Sequence, residues 1–128
     1  MSDLKDSLQE FLNKVEAGVI KEQKEQMFTL LRRVILITPQ DESVCVANWF
    51  ITVNFQDANA TQTSDRDGMA AMTRGLGEIE KFKQLGVLTL TNPMPYALRI
   101  TEYGHSKQTP PGTLSALVAQ LETEFFKK

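Results

Sequence analysis

Apolar residues recur along this chain with two different periods, and the switches between them mark its elements. Leu4, Leu8, Phe11, Leu12, Val15 and Val19 return every three or four positions, one stripe on a helix. The polar run "KEQKEQ" (Lys21 to Gln26) interrupts that stripe, and Met27, Leu30, Leu31 and Val34 resume it. The pattern predicts helix over about 3–37, because Pro39 disfavours helix at Thr38. It fits one helix of roughly 50 Å that projects past its own core, at about 1.5 Å per residue, or two helices meeting near Gly18. Ser2 or Asp3 can cap the start, as can Ser7 with Glu10 at capping-box spacing.

"ANWFITVNF" changes to a period of two. Ala47, Trp49, Ile51 and Val53 point one way and Asn48, Phe50, Thr52 and Asn54 the other, which predicts a strand. Residues 56–67 are polar and without period, a flexible surface loop. Met69, Met72, Leu76, Ile79 and Phe82 restore helical spacing, with Gly86 where a C-cap is expected. "VLTLTN" reads as a short strand stopped by Asn92-Pro93. After Pro95, a helical turn or two holds Tyr96, Arg99, Ile100 and Tyr103 and ends at Gly104. Leu114, Leu117, Val118, Leu121 and Phe125 form the face of a last helix over about 113–126, and Pro110 and Pro111 suit its approach. The order α-β-α-β-α, without repeat or nucleotide-binding βαβ signature, predicts one α+β domain. Its expected form is a small antiparallel sheet packed by helices, with a long N-terminal helix and a body over about 38–126.

Composition narrows the function classes. With 128 residues, 41% hydrophobic and 23% charged, the chain can bury a single ordinary core. No run approaches the roughly 20 apolar residues that cross a bilayer, and the polar start "MSDLKDSLQEF" is not a secretory signal. One Cys and one His exclude an internal disulfide and a multi-cysteine zinc site, so no dedicated transition-metal centre is expected. A net charge of −2, with acids and bases interspersed, argues against a primary nucleic-acid binder. A position near DNA stays open.

The candidate chemistry is thin. "NPMPYALRITEYGHSKQTPPG" (Asn92 to Gly112) holds both tyrosines, the only His and four of the five prolines. His105-Ser106-Lys107 offers a nucleophile and a base, but neighbours on an extended chain point apart, and no nucleophile elbow surrounds Ser106. Asp41, Glu42, Asp57, Asp65 and Asp67 match no calcium loop and read as solvated charge. Gly75 and Gly77 do not follow a strand and read as close helix packing or a kink. Cys45 reads as a small core residue and Trp49 as core.

From Thr38 onward the chain resembles the neck or tail-completion protein family of tailed bacteriophages. "TPQD" precedes "ANW" and a strand, and a second strand ending in "TNPMPY" leads into "EYGHSKQTPPG" and a terminal helix. The family's first block usually runs TPVDTGRARANW and its later block approximately TNNLPYIERLEYGYSKQAPAGMV. Thr38, Pro39, Asp41, Asn48 and Trp49 fit the first block, where "ESVC" replaces the Thr-Gly-Arg run, so the contact made through that Arg is not carried over. Pro95, Tyr96, Glu102, Tyr103, Gly104, Ser106, Lys107, Gln108, Pro110 and Gly112 stand in register in the later block.

The resemblance implies a structural virion protein, without enzymatic activity or cofactor, at the head–tail junction. It implies a six- or twelve-fold homo-oligomeric ring around the genome channel, with head-closure or portal-side and tail-side proteins as neighbours and DNA passing nearby. It also implies a place in the virion, with assembly in the host cytoplasm. The later-block residues become assembly elements: Tyr96 and Tyr103 are expected to close the core, and Ser106, Lys107 and Gln108 to lie at an interface. Gly104 is expected at a backbone position that a side chain forbids. A tail terminator is the rival of the same class. A small phage hydrolase using His105 and Ser106, or a DNA-binding accessory factor, is the rival of another.

Overall fold

The computed structural model describes residues 2–54, 58–104 and 109–126. Helix α1 (Ser2–Ile37) runs unbroken through Gly18 for 36 residues, a rod of roughly 54 Å. There follow α2 (Ser43–Ala47), β1 (Phe50–Val53), α3 (Met69–Lys81), β2 (Leu88–Thr91), α4 (Ala97–Thr101) and α5 (Thr113–Phe126). The two strands pair antiparallel, with Phe50 opposite Thr91 and Val53 opposite Leu88. This is the expected α+β architecture, with α1, α3 and α5 gathered about a small sheet.

The main core joins Leu31 and Val34 of α1 to Ile51 of β1, Ala71 and Ile79 of α3, and Leu117 and Leu121 of α5. Gly75 lets α3 come close to the other layers: a Cβ there would stand 2.4 Å from Leu31 Cδ2 and 3.2 Å from Ile51 Cδ1. Gly77 faces open space, so close packing does not explain it. On the surface Arg33 grips the Glu124 carboxylate through both terminal nitrogens, at 2.9 and 3.3 Å, tying α1 to α5.

The structure corrects several expectations. Ala47 closes α2 and Asn48 is its C-cap, so the strand begins only at Phe50. Burial of Cys45, Val46 and Ala47 outweighs the strand preference of two valines in that short segment. Residues 58–65 are not a free loop, because Asn48 holds Thr61 from both sides and Asp65 is buried. Helix α3 stops at Lys81 with an extended Phe82 as its C-cap, so Gly86 caps nothing. Gly86 instead keeps clear of Asn54, whose Oδ1 would lie 2.6 Å from a Cβ. Val118, on the edge of the α5 stripe, is exposed.

Candidate functional site

The two sequence blocks meet at the C-terminal end of α1. The Thr38 hydroxyl donates to the Val34 carbonyl at 2.6 Å and accepts the indole N–H of Trp49 at 2.9 Å. One residue earlier, the Ile37 carbonyl accepts the hydroxyl of Thr109 at 2.6 Å, across 72 positions of sequence. Thr38, Thr109 and Trp49 are all buried. The Ile37 carbonyl at the helix end is thus satisfied by a hydroxyl, whereas the Val34 carbonyl accepts the Thr38 hydroxyl beside the Thr38 N–H. Beside this joint lies a cleft of about 430 Å³ walled by Thr38, Pro39, Asp41, Thr109 and Thr113. Pro39 is buried, whereas Asp41 is exposed and 3.7 Å from Arg66, too solvated to contribute much.

Asn48 is buried, and its side chain uses both ends. Nδ2 donates to the carbonyls of Val44 at 2.7 Å and Thr61 at 2.9 Å, and Oδ1 accepts the Thr61 N–H at 2.8 Å. Asp65 receives the backbone N–H groups of Ala70 and Ala71, a carboxylate on the N-terminal turn of α3 rather than a solvated loop charge. Arg74 donates to the carbonyls of Ala47 (2.7 Å) and Trp49 (2.9 Å), with its guanidinium carbon 3.8 Å from the centre of the Phe50 ring. Burial draws its pKa down, and Asp65 opposes that.

The later block forms a corner between β2 and α5. The Asn92 side chain donates to the Cys45 carbonyl at 3.0 Å and accepts the Met94 N–H at 3.1 Å, fixing the turn into α4. Tyr96, the N-cap of α4, packs partly buried on Cys45, Ala97 and Ile100. Burial pushes its phenol up, and Cys45 and Glu42 add to that. The same burial pushes the Cys45 thiol up to about 11, over the opposing bond from Asn92, so the thiol is a protonated core group.

Glu102 is the hinge of the corner. Its carbonyl accepts the Gly112 N–H at 2.7 Å, and its carboxylate takes both the backbone N–H of Ser115, at 3.0 Å, and the Ser115 hydroxyl. Those bonds, the hydroxyl's first, hold the carboxyl below its ordinary pKa. A carboxylate on the first turn of α5 also meets the positive end of that helix. Gly104 has φ +75°, and a Cβ there would stand 2.4 Å from Cγ of Pro111, so the expected forbidden position is present. Gly112, φ +82°, turns the chain into α5, and the Pro110 carbonyl accepts the Thr113 N–H and hydroxyl.

Tyr103 corrects the expectation that both tyrosines close the core: it is 68% exposed. Helix α4 ends at Thr101, so Tyr103 falls outside the turn that would have carried it inward beside Ile100. With Leu98 and Val118, also exposed, it borders a shallow groove over Glu102 and Ser115. His105, Ser106, Lys107 and Gln108 lie outside the described residues. Reasoning from sequence missed Asn92, Thr109 and Ser115 as builders of the corner. Asn-Pro in "TNPMP" and Thr-Pro in "TPPG" were the available signals.

Among the described residues no group of three or more His, Cys, Asp or Glu side chains gathers to hold a metal ion. No helix among them is long and apolar enough to cross a membrane. Comparison with protein-family models, with curated proteins and with solved structures finds no match to this chain.

Proposed function

We propose that the chain is a structural virion protein of a tailed bacteriophage, one subunit of a neck or tail-completion ring that joins head to tail around the genome channel. In this reading it uses no cofactor and catalyses nothing. The observation that carries the reading is the corner itself. The two blocks of the resemblance, far apart in sequence, share one joint through Thr38, Trp49 and Thr109. Beyond it, Glu102, Gly104, Pro111 and Gly112 stiffen the chain that presents Tyr103 and Leu98 to solvent. A rigid turn displaying an aromatic and an aliphatic side chain loses little entropy on docking. Ring contacts join one patch to a different patch of the neighbour, and this corner supplies one such patch.

The test is a stop codon at Trp49 in the encoding phage, with the lysate imaged by negative-stain electron microscopy. DNA-filled heads beside unattached tails are expected. Abnormally long tails would transfer the protein to tail termination, and normal infectious particles would overturn the reading.

A further inference from the structure

The first half of α1 leaves the body. Residues 3–19 are exposed apart from the half-exposed Glu16, and Ile20 is the first buried side chain. Leu4, Leu8, Phe11, Leu12, Val15 and Val19 keep between 43% and 66% of their surface in water. Their stripe does not continue the core-facing line of Ile20, Met27, Leu31 and Val34. At about 100° per residue the two are rotated from each other by roughly a third of a turn. No folding of the body onto α1 covers that stripe, and a helix without packing is marginal in water.

We infer that residues 3–21 are a dimerisation arm whose partner is the same arm of a second copy, running antiparallel. The positions of the stripe are symmetric under reversal of chain direction. Leu4 falls opposite Val19 of the second copy, Leu8 opposite its Val15 and Phe11 opposite its Leu12, so every apolar side chain finds one across the interface. The polar flanks agree with this register. Lys5 and Glu16 share one edge of the stripe and come together across the pair, while the uncharged Ser7 and Gly18 line the other edge. Each contact occurs twice, and no like charges stand directly opposite. Antiparallel helices also set each dipole against the other's opposite end. The stripe offers on the order of 600 Å² per copy, at the top of what monomers leave exposed and near the roughly 800 Å² per partner of a standard interface. A two-fold contact of this kind closes on itself. It therefore predicts a free dimer and stands whether or not the chain works at a head–tail junction.

Sedimentation of the full chain tests it. The wild type is expected at twice the 14.4 kDa chain mass from micromolar concentration upward. Leu8→Glu with Phe11→Glu is expected to weaken the pair at least about tenfold, equivalent to about 1.4 kcal/mol, while the near-ultraviolet signal of Trp49 stays unchanged. Orientation is read by oxidising a mixture of the single variants Leu4→Cys and Val19→Cys, which is expected to give a covalent heterodimer. A monomeric wild type overturns the inference, including a monomer that instead partitions onto anionic lipid vesicles. So does a double-Glu variant that pairs as the wild type does, or Leu4→Cys crosslinking to itself as a parallel pair would.

Discussion

The two halves of α1 share one helical periodicity and meet opposite surroundings. In the second half Leu31 and Val34 are enclosed by α3, β1 and α5. In the first half Leu8 and Phe11 stand in water at 55% and 62% exposure. Spacing alone says that a helix has an apolar face and nothing about what covers it. The angle between the two stripes carries that information: one points into the body, and the other points past it toward a separate partner.

The largest effect that bears on this contrast is a pair of leucine deletions. Leu31→Ala removes a fully buried side chain and is expected to cost about 2–5 kcal/mol of unfolding free energy. At concentrations below those at which the arms pair, Leu8→Ala is expected to change the same quantity by no more than about 0.5 kcal/mol. Urea titration followed at Trp49 measures both, and equal losses would erase the distinction between arm and core.

A smaller effect separates the corner from the arm. Gly104→Ala must hold a Cβ at positive φ and against the Pro111 ring, which is expected to cost about 1–3 kcal/mol. At Gly18, where a Cβ meets open space, the same change is expected to be neutral or to stabilise the helix by up to about 1 kcal/mol. Thermal unfolding of the two variants compares them, and equal midpoints would mean that the corner is slack.

The smallest effect is the pH dependence of the corner. Because the Glu102 carboxyl is held below its ordinary pKa by Ser115, its contribution is complete above the usual carboxylate range. It is lost as pH falls through the lowered value. Glu102→Gln is therefore expected to melt earlier than wild type at about pH 7 and to converge with it in strong acid. A gap that persists unchanged into acid would assign the effect to shape rather than charge.

These contrasts follow what the sequence made legible. The spans of α1 and α5 were readable because long amphipathic periods overwhelm local exceptions, and β2 because turn residues bracket it. Helix α2 was not, since the alternation through Trp49 and Ile51 imitates a strand extending back to Ala47. Only tertiary contacts, the Asn48 side chain above all, reveal the helix. Asp65 was misread for a related reason. Its partners are backbone N–H groups five and six residues on, a geometry that loop composition does not encode. At the corner, Gly104 was legible from its residue type, whereas the exposure of Tyr103 depends on where α4 stops.

The joint at the end of α1 has a mechanical consequence. It is closed by two threonine hydroxyls and an indole N–H, neutral groups that salt does not screen as it screens exposed ion pairs. The end of α1, the indole of Trp49 and the chain leading into α5 are thereby tied at one point, so that a shift of any one of the three is opposed by hydrogen bonds to the others.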